Sequence, residues 1–203
     1  MPCPPLILAS TSPRRRGLLL ALGIPIAQVR PANIDETPRP SEAPGAYAAR
    51  LAREKAEAVL EPGAVVLAAD TVVHLDGHLF EKPADIAEAC RFLTSLQGRW
   101  HSVSTGWTLI PGPGVSGTAI SGVVTADVRF RSLSTAAIAA YAATGEGLDK
   151  AGAYGIQGLG AALVAEVRGS YSTVVGLPLD PVLAALAAFG VVPEAPSHNG
   201  PER

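Results

Sequence analysis

Aromatic side chains are scarce in this chain, at 5% of 203 residues, so Ala, Leu and Val must build most of its core. Cysteine is scarcer. Cys3 and Cys90 show no CxxC and no Cys/His spacing of the kind that holds structural zinc, and a reduced, cytoplasmic protein with two inert thiols fits them. His74, His78, His101 and His198 have no metal-ligand spacing either. No uninterrupted apolar stretch reaches the ~18 residues that a membrane helix needs. Charge of one sign is not in excess. A net charge of −2 argues against general affinity for nucleic acid, so any binding of phosphate must be local. The glycine-rich stretch Asp149–Gly158 is neither a GxxxxGK[ST] loop nor a GxGxxG fingerprint, which leaves generic kinase and dehydrogenase readings without support there. No Ser–His–Asp arrangement can be argued.

What remains is a chain that is 48% apolar and long enough for one generous domain or two small lobes. Its elements alternate. Leu6-Ile7-Leu8-Ala9 reads as a strand, followed by a turn and a helix from Pro13. After a loop rich in Pro and acids (Pro31 to Pro44) comes a long helix, Pro44 to Leu60. Ala64 to Ala69 reads as a strand ending at Asp70. Thr71–Leu75 and His78–Phe80 make a hairpin around Asp76-Gly77. A helix over Ala84–Leu96 precedes strands at Trp100–Ile110 and Val123–Phe130, joined by a Gly/Pro-rich loop. Ser134 caps a short helix to Ala143, Ala161–Val167 is a strand, and Pro178–Phe189 is a terminal helix. Residues 193–203 read as a polar, frayed tail. The order implies a mixed α/β fold with one twisted sheet in a single domain.

Ser10-Thr11-Ser12-Pro13-Arg14-Arg15-Arg16 is the most informative stretch. Ser12 suits an N-cap and Pro13 the first helical position. Arg14 and Arg15 then fall in the first turn, where the helix dipole disfavours cations unless an anion binds. Exposed N–H groups, the hydroxyls of Ser10 and Ser12, and two guanidinium groups make a phosphate site. A solvated basic patch is the plain alternative. A secretory leader is another, opposed by the preceding strand, by Pro25 and by the lack of a small-x-small cleavage site.

Four further features carry chemistry. On the long helix, at ~100° per residue, Lys55 falls inside the apolar arc of Tyr47, Ala48, Leu51, Ala52 and Ala56. It either snorkels to the edge or points into a cleft to meet an anion. Asp70, at the end of an apolar strand, is a turn former, a ligand for Mg²⁺ or Mn²⁺, or the base that orients a water. Glu36 can supply a second oxygen ligand, and Lys82 can neutralise a phosphate. In the glycine-rich stretch Asp149–Gly158, Gln157 offers both a donor and an acceptor to the edge of a base.

Taken in order, these motifs resemble the Maf family of nucleoside triphosphate pyrophosphatases. The match runs through Leu8–Arg15, Arg50–Ala56, Ala69–Val73, Lys82-Pro83, Gly98-Arg99 with His101 and Thr105, Asp149–Gly158, Gly169–Tyr171 and Val174–Leu179. The resemblance implies an elongated α/β fold with a cleft between two lobes, similar to inosine triphosphate pyrophosphatases. It also implies hydrolysis of a nucleoside triphosphate to the monophosphate and pyrophosphate with a divalent cation, and it allows a homodimer. By resemblance Asp70 is the proton acceptor, and Arg14, Thr71 and Gln157 govern substrate choice. Arg, Thr and Gln there look like the branch acting on dTTP and UTP; the branch acting on N7-methyl-GTP typically carries Trp at the position of Arg14. The family is also associated with inhibition of septum formation, which makes a nucleotide-binding regulator the alternative. Gln97 and the Pro111–Gly122 loop depart from the pattern without touching the expected site.

Overall fold

A computed structural model describes residues 3–194. One mixed sheet of seven strands organises it, in the order β2-β1-β3-β5-β6-β7, with β4 paired to β3. The strands are β1 (Leu6–Leu8), β2 (Gln28–Val29), β3 (Val65–Leu75), β4 (His78–Phe80), β5 (Trp100–Pro111), β6 (Ile120–Phe130) and β7 (Val164–Arg168). The helices are α1 (Pro13–Ala21), α2 (Pro44–Glu57), α3 (Ile86–Leu96), α4 (Thr135–Ala143), α5 (Tyr171–Val175) and α6 (Leu179–Ala188). β1 runs parallel to β2 and β3, and the other pairings are antiparallel.

The strand expected to stop at Asp70 continues through it to Leu75. The β-branched run Thr71-Val72-Val73 extends the ladder, and β5 pairs with β3 from Val65 to His74. On its other side β3 has two short partners. β1 covers Val65–Leu67 and β4 covers Val73–Leu75. Residues 68–72 between them are registered with β5 alone, and this open stretch of sheet edge is where Asp70 and Thr71 lie.

Side chains alternate across β3. Val66, Ala68 and Val72 face α2, packing with Ala56, Val59, Tyr47 and Leu51. Val65, Leu67 and Ala69 face α1 and α6, in a cluster with Leu19, Trp107 and Leu186. Val73, on that second face, belongs to a separate cluster with Leu93, Val103, Phe130 and Tyr154. Thr71 and its cross-strand partner Thr105 lie between the two clusters. α2 approaches β5 closely at Gly106, where a Cβ would stand 2.4 Å from the Ala48 carbonyl carbon.

Two smaller expectations change. The strand at Ala161–Val167 begins only at Val164, because Gly158–Leu163 is a 3₁₀ helix whose first amides bond a side chain. Of the tail expected from 193, residues 195–203 lie outside the described residues, while Glu194 N–H donates to the Gly23 carbonyl at 2.8 Å.

Candidate active site

A cleft of 520 Å³ opens at the uncovered edge of β3. Each wall is set by a local rule. Ser12 caps α1, accepting from Arg15 N–H at 3.4 Å, and Pro13 occupies the first turn. The turn before it is held by Ser10, whose oxygen accepts from Ser12 N–H at 3.1 Å. Both hydroxyl oxygens are thus acceptors, and among the described residues neither hydroxyl hydrogen is committed.

Lys55 is drawn into the cleft. Its ammonium lies 2.6 Å from Asp70 Oδ1 and 2.9 Å from Glu36 Oε1, and only 13% of the Lys55 and Asp70 side chains is exposed. Asp70 reaches it because it sits on the face of β3 that α2 covers. Glu36 reaches it because α2 holds its loop. The Tyr47 hydroxyl donates to the Glu36 carbonyl at 2.5 Å, and Arg50 donates to the Thr37 carbonyl at 3.1 Å while forking onto Glu42 at 2.7 and 2.8 Å. Burial, with Glu81, Asp70 and Glu36 nearby, raises the Tyr47 phenol above its ordinary pKa and keeps it a donor.

Thr71 points to the opposite face. Arg15 donates to it at 3.1 Å, to Ser10 Oγ at 3.2 Å and to the Gly176 carbonyl at 2.7 Å. Thr71 in turn contacts Thr105 Oγ1 at 2.9 Å. Three of the five guanidinium N–H bonds of Arg15 are therefore used in bracing the cleft floor. Burial lowers its pKa, partly offset by Asp70. Gly176 has to be glycine here, with φ +121° and space for a Cβ only 3.3 Å from Thr71 Oγ1.

Arg14, Lys82, Asp149 and Lys150 line the cleft mouth. Arg14 Nη1 lies 3.7 Å from Asp149 Oδ2, and Lys150 Nζ lies 2.5 Å from Asp149 Oδ1. The cleft thus gathers Ser10, Ser12, Arg14, Arg15, Glu36, Lys55, Asp70, Thr71 and Lys82 from separate segments of the chain. Gln157 is the exception. It is exposed and stands outside the lining, while Ile156 beside it is inside.

Among the lining residues to which the sequence assigns no role are Tyr47, Glu81, Lys150 and Tyr154. Tyr47 had a legible signal, since a tyrosine in an apolar helical arc needs a partner for its hydroxyl. No group of three His, Cys, Asp or Glu among the described residues is arranged to hold a metal by itself, and no helix there is long and apolar enough to cross a membrane.

A family model described as Maf-like protein matches residues 5–189. Proteins named dTTP/UTP pyrophosphatase are similar over almost their whole length. The one from Anaeromyxobacter dehalogenans is 51% identical over 187 residues, spanning 92% of this chain and 95% of the relative. That from Myxococcus xanthus is 52% identical over 194 residues, spanning 92% and 93%. That from Shewanella denitrificans is 49% identical over 193 residues, spanning 90% and 95%. Among solved structures, a HAM1 protein from Coxiella burnetii aligns with a TM-score of 0.39 and 19% identity, over 61% of this chain and 72% of that one.

Proposed function

The chain belongs to the Maf-like protein family, and from that premise we propose that it hydrolyses dTTP and UTP to the nucleoside monophosphate and pyrophosphate. One observation carries the reading. A lysine, an aspartate and a glutamate from three separate segments meet at hydrogen-bond distance in a cleft rimmed by Arg14, Lys82 and Lys150.

In this mechanism Arg14 and Lys82, with Lys150 beside them, hold the triphosphate by charge. The free hydroxyl hydrogens of Ser10 and Ser12 and the Arg14 N–H add directed donors, since Pro13 has no N–H and the Arg15 and Arg16 amides are bonded to Ser12. Arg15 keeps the first turn of α1 in place and offers its two uncommitted N–H bonds. Asp70 orients a water and takes its proton as the water oxygen attacks phosphorus. The bond between the α- and β-phosphates breaks, and its bridging oxygen leaves with pyrophosphate. Lys55 aims the Asp70 carboxylate. The surrounding cations offset the charge that grows on the leaving group, a contribution that is often the largest in such reactions.

The residues also fit a divalent cation. Asp70 Oδ1 and Glu36 Oε1 lie 2.6 and 2.9 Å from Lys55 Nζ, so the two carboxylates are neighbours, and their second oxygens would hold the ion beside the ammonium rather than in its place. A Mg²⁺ or Mn²⁺ ion held by two carboxylates, with phosphates and waters completing its shell, needs such a pair. When bound, the ion supplies charge neutralisation at the phosphates. Gln157 and Thr71 would read the base, and Arg14 the branch preference. A cytoplasmic setting is part of the same proposal.

The test is pyrophosphate release from UTP and dTTP with Mg²⁺ or Mn²⁺. Asp70→Asn is expected to lower turnover by at least ~10²-fold. Near-normal turnover in that variant would refute the assignment of the base. Saturable nucleotide binding without release by the unaltered protein would favour a regulator. Faster cleavage of N7-methyl-GTP than of UTP at equal concentration would move the chain to the other branch.

A further inference from the structure

The Glu146 carboxylate, in the turn after α4, has no part in the mechanism above, although the backbone carbonyl of Glu146 accepts from Lys150 Nζ. That carboxylate nonetheless accepts three hydrogen bonds. Oε1 takes the Tyr141 hydroxyl at 3.0 Å and Gly160 N–H at 2.8 Å, and Oε2 takes Leu159 N–H at 2.9 Å. The Tyr141 oxygen in turn accepts from Gly155 N–H at 3.2 Å. Gly155 and Leu159-Gly160 are the two feet of a short arch, and both are fastened to the one Tyr141–Glu146 pair. Gln157 stands between them with extended backbone, φ −90° and ψ 159°.

Glycines let the arch close on the carboxylate. Gly158 has φ +69°, and a Cβ there would stand 2.8 Å from Glu146 Oε2. A Cβ on Gly160 would stand 2.0 Å from the Gly155 carbonyl oxygen. Such a glycine-rich segment, left unfastened, would sample many conformations and lose them on binding. The anchor itself is rigid, because α4 buries Ile138, Tyr141 and Ala142.

We propose that Glu146 is a positioning residue for base recognition, fixing the Gly155–Gly160 arch so that the Gln157 amide meets the edge of a pyrimidine without an ordering cost. The proposal rests on the dTTP/UTP reading. A primary amide offers one donor and one acceptor to the acceptor and donor at the C4 and N3 edge of uracil or thymine. Preordered contacts of this kind act on affinity more than on the chemical step.

The experiment compares the unaltered protein, Glu146→Ala, Gln157→Ala and the double variant. It reads kcat and KM for UTP, and the Ki of inorganic tripolyphosphate, which has phosphates and no base. Glu146→Ala is expected to raise KM for UTP about 10-fold with kcat within about 3-fold and Ki unchanged. The double variant should be no worse than Gln157→Ala, the coupling expected when one residue acts through the other. Glu146→Gln keeps an acceptor for two of the three donors and should recover part of the lost affinity. If Glu146→Ala does not melt cooperatively, Glu146→Gln carries the same comparison. Equal changes in KM and Ki, or additive effects in the double variant, would overturn the proposal. A protein that binds UTP without cleaving it removes the proposed activity alone, since calorimetric UTP affinities still read the role of Glu146. Failure to bind UTP at all overturns both.

Discussion

The Thr105 hydroxyl donates to the Thr173 carbonyl oxygen, 2.8 Å away, an atom that can only accept. Its contact with Thr71 must therefore run the other way, from the Thr71 hydroxyl to Thr105 Oγ1. Arg15 donates to Thr71, so a directed relay passes from the guanidinium through two threonines to the backbone of α5. Thr71 has no hydrogen left to give, and toward a substrate it can act only as an acceptor. Thr71→Val keeps the shape and strands a part-buried Arg15 donor, so it should cost about 1 kcal/mol, the low end of the range for an unsatisfied group. Urea midpoints at constant m-value measure this, and Thr71→Ser should restore most of the loss.

At the level of elements, the reach of Lys55 to Asp70 depends on how closely α2 lies on the sheet. Ala48, Ala52 and Ala56 form the helix face that is fully buried, and Gly106 of β5 receives it. A methyl group at 106 would overlap backbone and cannot be relieved by a rotamer change. Gly106→Ala should lift α2, lowering stability by about 3 kcal/mol, at the upper end of the overpacking range. It should weaken turnover as well, because Lys55 and the Glu36 loop move with the helix. Gly17 is the control. It lies within α1, and a Cβ added there would meet nothing within 4 Å, so Gly17→Ala should gain about 1 kcal/mol by helix propensity. Thermal melts of the two variants with activity assays separate these outcomes. The Arg50 fork onto Glu42 and the Thr37 carbonyl plays the matching part for the Glu36 loop. Arg50 also makes an ordinary i,i+4 helical pair with Glu54, at 3.1 Å. The loop contact is invisible in the sequence, because it joins positions thirteen residues apart across an irregular segment.

Over the whole molecule, several groups make stability depend on pH, among them His101, His74 and Glu42. His101 is buried in the cluster with Phe130 and Tyr154, and its Nε2 lies 2.9 Å from the Tyr154 hydroxyl. Burial lowers its pKa from 6.5 to about 4. Between those values the unfolded chain binds a proton that the folded one does not, so stability falls as pH falls from 6.5 to 4. Glu42 behaves as a paired carboxylate. Its hydrogen bonds from Arg50, against the opposing effect of burial, lower its pKa from 4.5 to about 2, and the stability it contributes above 4.5 is lost as pH falls through that range. Denaturant midpoints should therefore decline in two successive windows. In the variant carrying both His101→Phe and Tyr154→Phe, the decline between 6.5 and 4 should become shallower, leaving the part due to His74, whose pKa burial also lowers, while the decline below 4.5 persists.

From the sequence alone follow the alternation of strands and helices, the capped start of α1, the place of Lys55 on the apolar arc of α2 and the identity of several charged residues that line the cleft, though not Glu81 or Lys150. These rest on local rules: a capping serine, a proline at the first helical position, a 3.6-residue period. Asp70 lines the cleft but does not end its strand, because whether β3 stops or continues is set by its partners β1, β4 and β5. The opposite facing of Asp70 and Thr71 follows from the same continuity, since side chains alternate only within an unbroken strand. The committed donors of Arg15, the relay through Thr105 and the fastening of the Gln157 arch belong to tertiary structure. Each joins residues distant along the chain through hydrogen bonds whose geometry exists only once the sheet has brought them together.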